Sequence, residues 1–209
     1  MKQEVLSSIL DKKIVAILRG LEYEENLKVM ESLIEVGILN FEVTLNTPNS
    51  LSIIEVARNR FCDTACIGAG TVLNELDARN AIQAGAQFLI TPNLNEACIE
   101  VAAKNDTLIA PGVFSPTEIA KALECGCEIV KLFPAAVLGH EYVSQLKGPF
   151  KDLNIMAVGG IDLNNMRQFL EAGVKAIGLG SSLINTDLVR AGNYAQLKDN
   201  FKEYLAQIM

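Results

Sequence analysis

Short apolar runs recur along the whole chain. Each is followed by a small or polar turn and then by a stretch with helical apolar spacing. The runs are rich in β-branched residues and predict strands over 14–18, 41–45, 65–69, 88–91, 107–110, 128–133, 155–158 and 176–179. The stretches between them predict helices over 24–36, 50–60, 74–84, 95–104, 116–124, 140–147, 163–172 and a last one near 188–207. Local signals mark several boundaries. Ser115-Pro116-Thr117-Glu118 spells a capping box with proline at the first helical position, and Asp162 stands as an N-cap before Leu163. Gly37, Gly85, Gly126 and Gly173 each follow an apolar helical turn, where a left-handed cap is expected. The opening segment, MKQEVLSSILDKK, reads as a short amphipathic helix.

Strand-then-helix units repeated in this way imply parallel strands joined by right-handed crossovers. Their number and the chain length of 209 residues predict a (β/α)8 TIM barrel with a short N-terminal helix, one domain over residues 1–209. An open doubly wound sheet is the alternative. It usually carries a G-x-G-x-x-G fingerprint, and here Gly68-Ala69-Gly70 and Gly178-Leu179-Gly180 lack the third glycine, with Leu73 and Leu183 in its place.

Composition narrows the function classes. The net charge is −7 and the pI about 4.8, which argues against nucleic acid or an anionic membrane as partner. An anionic substrate would need its positive groups gathered locally. No apolar run approaches the roughly 18 residues of a membrane span, and the N-terminus lacks the apolar core of a signal peptide. Five cysteines, Cys62, Cys66, Cys98, Cys125 and Cys127, form no C-x-x-C pair and read as reduced core thiols of a cytoplasmic protein.

The chemistry begins with EIVKLFPA at 128–135, where Lys131 interrupts an otherwise apolar strand. In a parallel barrel the functional groups stand at the C-terminal strand ends. Those ends hold Arg19, then Glu42 with Thr44 and Asn46, then Thr71, Thr91 to Asn93, Lys131, Gly159-Gly160 and Gly180 to Ser182. Strand alternation puts Lys131 on one face with Ile129 and Phe133, and Glu42 on one face with Thr44 and Asn46. The layer facing the helices is apolar, so Glu42 and Lys131 are expected to point into the barrel mouth. A structural ion pair would also satisfy that placement.

An ordinary lysine amine is neutral in roughly one molecule in 2,500 at pH 7, and desolvation raises that fraction. A neutral amine attacks a ketone to form a Schiff base. The protonated imine then draws electrons from a neighbouring C–C bond. Glu42 is the candidate acid/base. The glycine pairs after the last two strands, with Ser181 and Ser182, have the makings of a phosphate site built from backbone N–H groups; tight turns alone are the other reading. Metal-dependent aldol chemistry would want several histidine or carboxylate ligands. The one histidine, His140, begins a helix and suits a surface or capping role.

These segments bear a wider likeness. FEVTL (41–45), IGAGTVL (67–73), ITPN (90–93), PGVFSPTE (111–118), VKLFPA (130–135), LKGPF (146–150), VGGI (158–161) and GLGSSL (178–183) stand in the order seen in the 2-keto-3-deoxy-6-phosphogluconate and 4-hydroxy-2-oxoglutarate aldolases, which the chain resembles over its whole length. The resemblance implies a class I aldolase on a (β/α)8 barrel with no metal and no organic cofactor, acting on a phosphorylated keto acid to give pyruvate, and assembled as a homotrimer. It implies Lys131 as the Schiff-base lysine and Glu42 as the acid/base. Thr71, Pro92 and Phe133 fall on substrate-pocket positions, and Gly159, Gly160, Gly180 and Ser181 on phosphate-binding ones. Asn46 stands where the family commonly has arginine, and Val158 where it has threonine. Both departures are similar to the sister group that acts on the galactonate epimer, as is the I-L-R-G of 17–20. Arg19 is therefore expected to hold the substrate carboxylate. VKLFPA and LKGPF resemble the gluconate-type enzymes, so either epimer fits. A phosphate-free substrate, 4-hydroxy-2-oxoglutarate, and a non-catalytic phosphosugar-binding barrel complete the alternatives.

Overall fold

The structure is a computed structural model and describes residues 2–208. Nine short strands form one parallel sheet: β1 (Ile14–Leu18), β2 (Asn40–Thr44), β3 (Cys66–Gly70), β4 (Phe88–Ile90), β5 (Leu108–Ala110), β6 (Gly112–Val113), β7 (Val130–Leu132), β8 (Ile155–Val158) and β9 (Ala176–Leu179). Their order is β5-β4-β3-β2-β1-β9-β8-β7-β6. The two edges, β5 and β6, are consecutive in the chain and separated only by Pro111. The sheet is therefore a ring of eight strands whose fifth is broken at one residue. Proline has no N–H to give to a ladder. Its carbonyl still accepts from Lys131 N–H at 2.9 Å, and Gly112 pairs with Lys131 across the break. The barrel expected from the sequence is present; the strand expected over 107–110 is found at Leu108–Ala110, and Gly112–Val113, assigned to no strand from sequence, continues it beyond Pro111.

Alternation along the strands sorts side chains into two layers. Ile14, Ala16 and Leu18 join the large apolar layer beneath the helices, with Val43, Ile67, Leu89, Val130, Leu132 and Ile177. Val15, Ile17, Phe88, Ile90, Leu108, Ile129, Met156, Val158 and Ala176 fill the barrel interior. The helix Lys2–Lys12 closes the N-terminal end of the barrel, sending Val5, Leu6 and Ile9 into that interior cluster. Each such fully buried aliphatic side chain contributes about 1.5–3 kcal/mol. Asn40, fully buried at the start of β2, ties the plug in place. Its amide donates to the carbonyls of Ser8 and Ile14, and its Oδ1 accepts from Ser8 Oγ at 2.8 Å.

Three glycines hollow out the interior. A Cβ on Gly68 would lie 2.4 Å from the Phe88 ring, one on Gly178 would lie 2.8 Å from Val158, and one on Gly70 would collide with the Glu42 carboxyl. Side chains removed from β3 and β9 make room for larger ones from their neighbours.

Most helix boundaries follow the local signals. Ser115 and Glu118 complete both halves of the capping box at the helix Pro116–Glu124. The four helix-ending glycines have φ between +79° and +104°. Two expectations need correction. Asp162 accepts from Asn164 N–H at 2.8 Å, but the regular helix begins later, at Met166, with Asn165 in the cap position. The last helix is two, Thr186–Arg190 and Tyr194–Ala206, separated at Gly192 with φ +68°. The five thiols are all unpaired; Cys98 and Cys127 are buried as expected, whereas Cys62 is exposed and so not a core residue. His140 opens the helix His140–Leu146, edge-on to Phe169 at 6.3 Å.

Candidate active site

A cavity of about 310 Å³ opens at the C-terminal ends of β1, β2, β7, β8 and β9. Lys131 and Glu42 reach it from within the barrel, because each stands at an inward position of its strand. Ile129, two residues before Lys131, lies in the interior cluster, while Val130 and Leu132 lie outside it. Lys131 is 4% exposed and Glu42 1%. Burial lowers the Lys131 pKa from its ordinary value, the Glu42 carboxylate opposes that shift, and the Arg19 cation adds to it. Burial likewise raises the Glu42 pKa, against the lowering pull of Lys131 and Arg19. Both groups are thus moved towards their uncharged forms.

The two charges do not close on one another. Among the described residues they form no ion pair within 4.0 Å, and Glu42 Oε2 is buried without a hydrogen-bond partner. A buried, unpaired acceptor is costly to keep, so the surrounding fold must impose its position. Gly70 makes that position possible, since any side chain there would occupy the space of the carboxyl. The Lys131 Nζ lies 4.6 Å from the centre of the Phe133 ring, which walls the amine without offering it a hydrogen bond.

Arg19 extends β1 by one residue to the cavity rim, where it is exposed. Its Nη2 donates to Thr71 Oγ1 at 3.4 Å. Thr71 follows β3 with φ +55°, a conformation unusual for a β-branched residue and a form of strain that collects at functional sites. Thr71 does not line the cavity itself; it meets the site through Arg19.

The rim beyond β9 and β8, the next strands of the ring after β1, is made of backbone. Gly159 and Gly160 follow β8 with φ +93° and +74°. A Cβ on Gly159 would press on the Phe133 ring at 3.1 Å, and one on Gly160 would lie 2.6 Å from Ala136. Asn165 Nδ2 donates to the Gly160 carbonyl at 2.9 Å. After β9, the Gly180 carbonyl accepts from the N–H groups of Leu183 and Ile184, winding Gly180–Ile184 into one turn. Tyr204, in the last helix, donates to the Ser182 carbonyl at 2.6 Å and anchors that turn from behind. Among the described residues nothing accepts from the N–H groups of Gly160, Ser181 or Ser182. Free N–H groups on two neighbouring glycine turns suit an anion.

Of the positions singled out from sequence, Arg19, Glu42, Lys131, Phe133, Val158, Gly159, Gly160, Gly180 and Ser181 line this one cavity. Asn46 does not: β2 ends at Thr44, and the turn that follows carries Asn46 outward, exposed. Pro92 also lies off the cavity wall. It packs against Gly112, where an added Cβ would come within 2.3 Å of its carbonyl carbon. Thr91 fixes that turn, donating to the Asn93 carbonyl and accepting from Gly112 N–H. Sequence reasoning did not assign Ile17, Ile161, Gly178, Ile184 and Thr186 to the site; with Ser182 they complete the lining. Ile17 was legible from its parity with Arg19. Thr186 was not, because it comes into range only through the turn after β9. No group of three or more His, Cys, Asp or Glu side chains suited to a metal occurs among the described residues.

Comparison with other proteins gives the following likenesses. Residues 5–199 match the family model described as KDPG and KHG aldolase. A probable 2-dehydro-3-deoxy-6-phosphogalactonate aldolase of Rhizobium meliloti is 37% identical over 175 residues, 83% of this chain and 82% of that one. A 2-dehydro-3-deoxy-phosphogluconate aldolase of Treponema pallidum is 35% identical over 176 residues, 83% of each. A crystal structure of KDPG aldolase from Legionella pneumophila, with pyruvate captured at low pH as a covalent carbinolamine intermediate, superposes with a TM-score of 0.84 at 27% identity, covering 93% of this chain and 95% of that one.

The electrostatics of the cavity have a testable sign. The amine of Lys131 titrates below the ordinary 10.5. Removing the neighbouring cation in Arg19→Ala makes protonation easier and moves that pKa up. Removing the carboxylate in Glu42→Gln makes it harder and moves it down. The pH dependence of Lys131 acylation in the three proteins, followed by peptide mass spectrometry, checks both directions; a shift of the wrong sign in either variant refutes the charge assignment.

Proposed function

Because the chain belongs to the KDPG and KHG aldolase family, we propose that it is a class I aldolase that splits a 6-phosphorylated 2-keto-3-deoxy sugar acid into pyruvate and D-glyceraldehyde 3-phosphate. The observation that carries this reading is the buried Lys131 amine, in no ion pair among the described residues, sharing one cavity with the Glu42 carboxyl and the two glycine turns.

In this reading the neutral Lys131 amine attacks the C2 ketone, water leaves, and an iminium forms. Glu42 takes the proton of the C4 hydroxyl. The C3–C4 bond breaks, its electron pair moves into the iminium to give an enamine, and C4 departs as the aldehyde of glyceraldehyde 3-phosphate. The proton held by Glu42 is then returned to C3 of the enamine. Hydrolysis of the resulting imine frees pyruvate and restores the amine. Arg19 holds the C1 carboxylate, and the N–H groups of Gly160, Ser181 and Ser182 hold the phosphate. Thr71 keeps Arg19 aimed, while Phe133 and Val158 bound the pyruvyl end. Pro92 and Asn46 act from beyond the cavity wall, by shaping the turns after β4 and β2. The Legionella relative, caught with pyruvate as a covalent carbinolamine, supports the covalent route.

Asn46 and Val158, in place of the family's arginine and threonine, together with Arg19 at the rim, favour the galactonate epimer over the gluconate. The effect of Val158 alone is modest, since one lost hydroxyl contact changes binding by about 1–3 kcal/mol. A phosphate-free substrate, 4-hydroxy-2-oxoglutarate, would leave the two glycine turns unused. The reading also includes a cytoplasmic homotrimer. Five unpaired thiols suit a reducing compartment. Leu73, Leu76, Phe114 and Val137 are large, exposed apolar side chains in the segments that follow β3, β6 and β7, and a subunit contact would cover them. Sedimentation at the mass of three chains tests the assembly; a monomer refutes it.

Incubation with pyruvate and borohydride should leave a stable reduced adduct on Lys131 and none on Lys131→Ala. An unmodified Lys131 in the active protein rejects the imine mechanism. With the two phosphorylated epimers assayed side by side, kcat/KM should be higher for the galactonate; a clear preference for the gluconate overturns the specificity reading.

A further inference from the structure

We propose that Thr47, acting through Thr44, is a positioning residue that fixes Arg19 for the carboxylate of an α-keto acid; this rests on the reading of Arg19 given above. Arg19 is a long, exposed side chain whose one hydrogen bond among the described residues is the 3.4 Å contact with Thr71. A guanidinium so loosely tethered at its tip must be placed from its base. The backbone on both sides of Arg19 is held by a short relay of hydroxyls. Gly20 N–H donates to Thr47 Oγ1 at 3.1 Å. Thr47 Oγ1 and Thr44 Oγ1 are 3.0 Å apart. Thr44 Oγ1 donates to the Leu18 carbonyl at 3.3 Å.

The hydrogens in this relay have one arrangement. Each hydroxyl carries a single proton. Thr44 gives its proton to Leu18, so the proton between the threonines is that of Thr47. Thr47 then accepts from Gly20. The relay starts and ends on the two peptide groups that flank Arg19, and both threonines are buried, at 3% and 0% exposure. Water therefore does not compete for these bonds. Local geometry brings the hydroxyls together: Thr47 N–H donates to the Thr44 carbonyl at 2.9 Å, folding the turn back over the end of β2. That same turn sends Asn46 out to solvent. The segment that carries no charge to the cavity thus supports the strand that does. Valine matches threonine in shape and lacks the hydroxyl, whereas serine keeps it.

The test is the pyruvate concentration giving half-maximal borohydride trapping on Lys131, measured in the parent protein, Thr47→Val, Thr47→Ser, Arg19→Ala and the double variant Arg19→Ala/Thr47→Val. Thr47→Val should raise that concentration about 5-fold, the loss of one buried hydrogen bond, with the extent of trapping at saturation unchanged. Thr47→Ser should return it to within about 2-fold of the parent. In the Arg19→Ala background Thr47→Val should add nothing, because a residue that acts through Arg19 has nothing left to place. An unchanged value in Thr47→Val overturns the proposal, and so does an equal rise with and without Arg19. If Arg19→Ala itself leaves the value unchanged, the carboxylate assignment fails first, and the positioning role falls with it. Should Thr47→Val not fold, Thr47→Ala is read by the same criteria.

Discussion

Everything in this molecule turns on keeping an amine and a carboxyl out of water without letting them neutralise each other. Paired at contact distance, Lys131 and Glu42 would be an inert structural bridge. Separated in bulk solvent, they would be ordinary charges. The barrel holds them in between, both nearly inaccessible, Glu42 Oε2 without a hydrogen-bond partner and the Lys131 amine against the face of Phe133. The arrangement has an energetic cost, since buried unpaired polar groups are expensive. The apolar layers beneath the helices and inside the ring supply the stability that tolerates it.

Space is arranged by omission as much as by addition. Gly68, Gly70 and Gly178 leave gaps in two strands, and Phe88, the Glu42 carboxyl and Val158 occupy them. The floor of the cavity is therefore polar on one side and aliphatic or aromatic on the other. Its rim gathers the Arg19 cation and the N–H groups of Gly160, Ser181 and Ser182 at the ends of three neighbouring strands, β1, β9 and β8. The positive groups of the cavity are thus collected in one place, although the protein as a whole is acidic. Local placement of a few donors outweighs the net charge, because exposed charges far from the cavity are screened within about 10 Å.

The repeated strand-then-helix pattern made the architecture legible, because each apolar run and each glycine stop has a local physical cause. Strand parity also placed Lys131 and Glu42 on the inner face. Parity failed at Asn46, because the strand ends at Thr44, two residues before it, and the alternation no longer applies. It could not reveal the interruption at Pro111 as a seam of the ring, since only the pairing partners on either side show that β5 and β6 belong to one strand. Thr71 and Pro92 carry recognisable motifs, yet their contribution passes through neighbours: Thr71 through Arg19, and Pro92 through Gly112. Such indirect roles depend on distances between segments far apart in sequence, and no local pattern encodes them. The thiol of Cys62 belongs to the same class, since its exposure depends on how the end of one helix meets the following turn.

The first and last strands, β1 and β9, are neighbours in the ring. During synthesis on the ribosome, the enclosure around Lys131 remains incomplete until the final strand emerges and its Gly178 slips beneath Val158 and Ile17. The burial that lowers the Lys131 pKa is therefore complete only once the first and last strands have met.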